Sequence, residues 1–161
     1  RGVARIDVQS AREMLEASQG AAQSASVFIA TAAVADWRPA SQSEQKIKKD
    51  GSGQVPVLHF VENPDILQSI AQGERARAGK LFCVGFAAES ENLVAHAKAK
   101  RERKGIPLLV GNIGPLTFGQ DHNSLLLVDA HGVRELPRAP KLALARELVT
   151  EIAARLPPGR A

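Results

Sequence analysis

Residues 26–35, Ser-Val-Phe-Ile-Ala-Thr-Ala-Ala-Val-Ala, form an almost unbroken run of small and β-branched residues with no polar alternation. That pattern predicts a strand covered on both faces, as in the parallel sheet of an α/β domain, because a strand with one solvated face alternates instead. Similar runs recur at 81–87 and 107–111, and helical patterns separate them. Ser10 and Glu13 form a capping box that opens a helix ending near Gly20. Asn63 suits the N-cap of a second helix, with Pro64 at its first position and Asp65 at the positive end of its dipole. Residues 55–61 alternate weakly and predict a strand, and 90–104 predict a strongly cationic helix ending at Gly105. Residues 124–129 and 133–136 flank Ala130-His-Gly132 as a hairpin, before a last helix over 140–155. The fold class expected from this order is α/β: a Rossmann-like, mostly parallel sheet flanked by helices, with an appended antiparallel hairpin.

Composition limits the function classes. A chain of 161 residues with 44% hydrophobic content fits one domain with a real core. Aromatics make up only 4%, which suits tight helix-on-sheet packing and not the stacking of bases on aromatic platforms. The formal charge of +4 favours anionic ligands, and nucleotides satisfy it as well as nucleic acid does. Cys83, the single cysteine, lies inside an apolar run, has no partner for an internal disulfide and reads as a small buried hydrophobe. With no apolar segment of about 20 residues and no signal peptide, a reduced, cytoplasmic setting is expected. His59, His96, His122 and His131 show no metal-ligand spacing.

Asp36 is expected where the strand over 26–35 ends, at the carboxyl rim where open α/β sheets bind ligands. It reads equally as the start of the turn that Pro39 continues. The polar stretch 40–54 is long for an idle connection and predicts a mobile lid. It carries Lys46, Lys48 and Lys49 beside Asp50-Gly-Ser-Gly53, three point charges suited to phosphates or, taken alone, a solvated charge run. Glu89 follows the strand over 81–87 and Asn112 ends the strand over 107–111 near the same rim, and a structural role in capping or turning fits each as well as a functional one.

Five segments in this order, Ala32-Ala-Val-Ala-Asp-Trp-Arg-Pro39, Lys46-Ile-Lys-Lys49, Asn63-Pro-Asp-Ile66, Val84-Gly-Phe-Ala-Ala-Glu89 and residues 100–104, resemble bacterial phosphopantothenoylcysteine synthetase. That enzyme, phosphopantothenate-cysteine ligase, serves coenzyme A biosynthesis and is often the C-terminal half of a bifunctional protein. The resemblance implies a single synthetase domain over 1–161. It lacks the family's opening strand, Gly/Ser-rich segment and helix, so a chain truncated at its N-terminus is expected. It implies CTP as substrate, Mg2+ as cofactor with ligands unassigned, 4'-phosphopantothenate and cysteine as the joined substrates, a homodimer with the hairpin region as its interface, and a possible fused decarboxylase domain. Neither nucleic acid nor membrane is an expected partner.

The resemblance also carries roles over to residues. Ala30, Thr31 and Ala32 would border the nucleotide through backbone, Asp36 would bind its sugar or base edge, and Lys46 would reach the triphosphate as the catalytic cation. Pro64, Asp65, Ile66 and Leu67 would present a helix N-terminus to phosphate or base. Phe86 would pack near cytosine, although an ordinary core phenylalanine fits its surroundings nearly as well. Lys100 and Lys104, one helical turn apart, would project toward one anionic group; without the resemblance they read as part of a solvated face. Three other readings compete: a non-catalytic nucleotide-binding or dimerisation fragment, a redox Rossmann domain, and a nucleic-acid binder using the basic helix. The redox reading is opposed by the lack of any GxGxxG after a strand. Low aromatic content opposes nucleic-acid binding.

Overall fold

Two strands buried on both faces organise the chain: Phe82–Glu89 and Leu108–Ile113, whose Cys83, Val84, Leu108, Leu109 and Val110 are at most 1% exposed. The structure is a computed structural model describing residues 2–41, 57–89, 92–113 and 119–156, with positions 43, 45, 48, 51, 53 and 55. Lys46, Lys49 and much of the segment expected as a lid lie outside the described residues.

In chain order the strands are β1 (Val27–Ala30), β2 (Trp37–Pro39), β3 (Phe60–Glu62), β4 (Phe82–Glu89), β5 (Leu108–Ile113), β6 (His122–Val128) and β7 (Val133–Pro140). The helices are α1 (Ala11–Ala22), α2 (Ile66–Ala71), α3 (Glu74–Arg77), α4 (Leu93–Lys104) and α5 (Lys141–Arg155). A five-stranded sheet runs β1-β4-β5-β6-β7, parallel across β1, β4 and β5 and antiparallel beyond. This is the Rossmann-like sheet with its appended hairpin expected from the sequence. A separate two-stranded antiparallel sheet, β2 with β3, was not expected.

Residue alternation on the central strands separates two cores. Cys83 and Ala87 of β4, Leu109 of β5 and Val128 of β6 face α2 and α4, with Met14 and Leu15 of α1 alongside. Val84, Leu108, Val110, Leu125, Leu127 and Leu136 face α5 through Leu144, Leu148 and Ile152. On the first face two positions have no side chain. A Cβ at Gly85 would stand 2.6 Å from Leu67 Cδ2 and 2.8 Å from Ile106 Cδ1, and one at Gly111 would meet Leu93 Cδ1 at 2.9 Å. These close approaches seat α2 and α4. Cys83 sits in the same layer, and burial pushes its thiol up to about 11.

Several boundaries depart from expectation. The run 26–35 keeps only four residues in the sheet and, among the described residues, pairs only with β4, from Val27↔Phe82 to Ala30↔Gly85. It is an edge strand there rather than one covered on both faces, and Ile29 is 41% exposed. Strand pairing, not apolar character, sets where the chain leaves the sheet. Asp36 therefore lies six residues past Ala30 in a bend and not at the strand end. Of the strand expected over 55–61, among the described residues, Phe60 and Val61 lie in a strand, extended by Glu62, and the His59 carbonyl accepts from the Ala40 N–H at 2.8 Å just before it. The capping box on α1 forms, with Glu13 N–H donating to Ser10 Oγ at 3.2 Å; the return bond to Glu13 Oε2 comes from the Gln9 N–H at 2.8 Å. The hairpin is longer than expected, and Pro137 is accommodated because β7 forms an outer edge of the sheet.

At the far end, the β6–β7 turn is locked to the last turn of α5. Asp129 accepts from the N–H groups of His131 (2.8 Å) and Gly132 (3.2 Å) and from Arg155 Nη2 (3.0 Å). Arg155 also donates to Glu151 Oε2 at 2.7 Å, and Arg134 reaches the other Glu151 oxygen. Burial works to raise the Asp129 pKa, but the His131 amide and the Arg155 guanidinium outweigh it and hold the carboxyl below its ordinary range. Arg155 does the same for Glu151, with Arg134 assisting.

Adding the missing methyl group in Gly85→Ala should cost about 1–3 kcal/mol, since flexible side-chain ends must move, and lower Tm by roughly 3–8 °C; an unchanged Tm would show that the close seating of α2 is not needed. Asp129 and Glu151 have lowered folded pKa values, so their contribution is complete above their unfolded values near about 4 and is lost as pH falls through the folded ones. The Tm gap between the protein and Arg155→Leu should therefore hold steady from pH 7 to 5 and narrow below about pH 4, as scanning calorimetry across that range would measure.

Candidate functional site

Three stretches of chain meet at the head of α2: residues 31–36 leaving β1, residues 60–65 leaving β3, and the last turn of α4. Asn63 joins the first two. Its N–H donates to the Asp36 carbonyl at 2.7 Å, and its Nδ2 donates to the Ala35 carbonyl at 2.8 Å. Arg38 Nη1 donates to Asn63 Oδ1 at 3.2 Å and also to the Glu62 carbonyl. The short β2–β3 pairing, Trp37↔Glu62 to Pro39↔Phe60, continues the same contact outward.

Asp65 joins the second stretch to the third. Its side chain, and not that of Asn63, is the N-cap of α2, with Oδ1 accepting from the Gln68 N–H at 2.9 Å. The helix thus begins two residues later than the sequence suggested, because the Asn63 amide is spent on Ala35. Asp65 Oδ2 accepts from Lys104 Nζ at 2.7 Å. The Lys104 side chain is 14% exposed and that of Asp65 40%. Burial works to raise the Asp65 pKa; the Lys104 ammonium, the Gln68 amide and the more distant Arg103 charge overcome it, so the carboxyl titrates below its ordinary value. At neutral pH the Asp65 carboxyl is therefore a carboxylate, bridged to Lys104 Nζ. The bridge provides a cation of fixed position with little freedom of its own, suited to holding anionic oxygens and not to nucleophilic attack.

The other residues expected from the sequence fall into place around this junction or apart from it. Ala30 ends β1 opposite Gly85, beside Phe86 on β4, and Thr31 and Ala32 follow it on the surface. Pro64 is half-buried ahead of the cap, while Ile66 and Leu67 are 8% and 7% exposed and belong to the core. Lys100 is half-buried one turn before Lys104. Phe86 packs on the α5 face, the opposite side of the sheet from Leu67 and α2. The structure therefore unites Asp36, Asp65 and Lys104 through Asn63, and keeps the Phe86 ring in a different layer.

Sequence reasoning missed Arg38 and the bridging role of Asn63. The Asn-Pro pair gives no signal of it, because the extended backbone that proline imposes on Asn63 suits an N-cap as well as a bridge. A cleft of ≈ 610 Å³ lies elsewhere, at the amino ends of the parallel strands, and contains none of the expected site residues. Among the described residues no group of three or more His, Cys, Asp or Glu side chains converges to hold a metal ion, and no helix is long and apolar enough to cross a membrane.

Comparison with known proteins follows the same lines. Residues 1–156 match the family described as DNA/pantothenate metabolism flavoprotein C-terminal domain. The chain is 42% identical over 147 residues to the coenzyme A biosynthesis bifunctional protein CoaBC of Vibrio cholerae, covering 89% of this chain and 36% of that protein. It is 40% identical over 157 residues to CoaBC of Haemophilus influenzae, covering 96% and 38%. The chain thus spans little more than a third of the length of these curated relatives. The crystal structure of the C-terminal domain of a CoaBC superposes with a TM-score of 0.68 at 31% identity, over 91% of this chain and 63% of that one. These likenesses bear out the resemblance read from the motifs: the chain belongs to the DNA/pantothenate metabolism flavoprotein C-terminal domain family.

Proposed function

We propose that the chain carries the ligase step of coenzyme A biosynthesis, joining 4'-phosphopantothenate to cysteine at the expense of CTP. Membership of the family and likeness to the C-terminal part of CoaBC support the step. The observation that carries the site is the Asp65–Lys104 salt bridge, 2.7 Å long, tied through Asn63 to the segment leaving β1.

Forming an amide from a carboxylate and an amine in water is uphill, so the carboxylate must first acquire a leaving group. In the proposed sequence a 4'-phosphopantothenate carboxylate oxygen attacks the α-phosphorus of CTP, the bond to the β-phosphate oxygen breaks, and pyrophosphate leaves. The cysteine amine then attacks the acyl-cytidylate carbonyl, loses a proton, and releases CMP. Both steps develop charge on phosphate oxygens, which positioned cations stabilise. Lys104 and, one turn away, Lys100 supply such charge from α4, and Lys46 supplies it from the polar stretch after β2. Asp36 contacts the sugar or base edge, the backbone of Ala30, Thr31 and Ala32 borders the nucleotide, and the segment from Pro64 to Leu67 lies beside its phosphates. Phe86 stands outside this set of contacts, because its ring packs on the α5 face, across the sheet from Leu67 and α2.

Mg2+ is commonly held by one or two carboxylates together with substrate phosphates and water, so it needs no cluster of three protein ligands. In this reading Mg2+ belongs to the triphosphate that the protein binds. A homodimer working in the cytoplasm, beside a decarboxylase domain in a bifunctional protein, completes the proposal. The name "bifunctional" borne by the relatives supports the last of these.

Pyrophosphate release by the full-length protein with 4'-phosphopantothenate, cysteine and Mg2+ should depend on CTP and be much slower with ATP. Lys46→Ala should reduce that rate by about 100- to 1,000-fold. Equal rates with both nucleotides would remove the CTP assignment, and CTP binding without turnover would favour a non-catalytic nucleotide-binding or dimerisation role. Lys104→Ala should lower both the rate and, by roughly 2–4 °C, the Tm, because it leaves Asp65 without its partner. A lowered rate with unchanged Tm would show that the pair does not brace the fold.

A further inference from the structure

We infer that Asn63 is a positioning residue for the nucleotide, aiming Asp36 from the head of α2, with Arg38 fixing the orientation of its amide. The inference rests on the ligase reading, in which Asp36 and Lys104 contact one nucleotide.

Asn63 holds two consecutive carbonyls. The Ala35 carbonyl belongs to the peptide unit before Asp36 and the Asp36 carbonyl to the unit after it, and Asn63 donates to both, at 2.8 and 2.7 Å. Both peptide planes flanking the Asp36 Cα are therefore pinned by one residue. Asp36 is exposed and outside any strand or helix, so these bonds, and not burial, set the direction of its side chain.

The amide is the group this place requires. Arg38 Nη1 is a donor and can meet only an oxygen; the Ala35 carbonyl is an acceptor and can meet only an N–H. The two neighbours together fix which end of the amide points where. An aspartate at position 63 would keep the Arg38 contact and turn an oxygen toward Ala35. Pro64 then restricts Asn63 to extended backbone, and the next residue is Asp65, which holds Lys104. One short, stiff stretch thus spans the sugar-side and phosphate-side groups, so their separation is built in before ligand arrives.

Steady-state pyrophosphate release by the full-length protein tests this. N63D should raise KM for CTP about five- to tenfold, the loss expected of one hydrogen bond, while KM for cysteine stays within about twofold. R38Q, which leaves the backbone bond from Asn63 to Asp36 intact, should act in the same direction by about two- to fivefold and serves where N63D does not fold. Because Asn63 works through Asp36, adding N63D to D36A should change KM for CTP little beyond D36A alone. Equal increases in both KM values, or an unchanged KM for CTP, would overturn the positioning role while leaving the ligase reading intact. Full additivity of N63D with D36A would overturn it as well. Wild-type protein that releases no pyrophosphate with either CTP or ATP would overturn the ligase reading and, with it, this inference.

Discussion

The seating of Leu67 against the bare backbone of Gly85 governs much of the rest. A sheet carrying full side chains on both faces keeps helices at a standard distance; here one position on β4 has none, and Leu67 of α2 and Ile106 fill the space. Leu67 is one turn or less from the cap of its helix, so its depth fixes where Asp65 stands. Asp65 in turn meets the last residue of α4, a helix whose other end is seated in the same way at Gly111 through Leu93. An ion pair with one partner largely buried repays its desolvation only with good geometry and further hydrogen bonds. The two glycine seats fix the helices that carry the pair, and the Gln68 N–H gives Asp65 a second bond.

The fold was legible where burial alone decides local structure. The apolar runs that became β4 and β5, the Leu-Leu-Leu-Val stretch of β6 and the Ser10–Glu13 box all encode their state within a few residues. The ends of elements were less legible because partners distant in sequence decide them. Nothing in residues 26–35 tells that pairing stops at Ala30; β4 decides it. Nothing local to Trp37-Arg-Pro39 tells that it pairs with Phe60-Val-Glu62, since the two segments are three residues each and recognise one another across a long gap.

The candidate site divides in the same way. Lys104 and Asp65 were visible only through likeness to a family, because a basic helix face and an acidic cap are common surface features. Their pairing at 2.7 Å turns two ordinary residues into a fixed feature. Asn63 stood out in the sequence as a helix cap, which it is not. An asparagine ahead of a helical pattern is a fair cap, and only the position of Ala35 in space shows that its amide is engaged elsewhere. Phe86 illustrates the remaining ambiguity, since strand alternation places it on the α5 face whichever ligand the rim receives.

Cys83 has a practical consequence for handling the protein. Only the thiolate of a cysteine attacks disulfides or alkylating reagents, and a thiol that is 1% exposed and pushed up to about 11 provides almost none at neutral pH. A solution of free cysteine slowly oxidises to cystine, which traps accessible protein thiols as mixed disulfides. This chain, whose sole sulfhydryl is closed off between sheet and helix, stands apart from that chemistry. Thiol-reactive dyes added to such a mixture would report the small molecule and its conjugates, with negligible background from the folded chain.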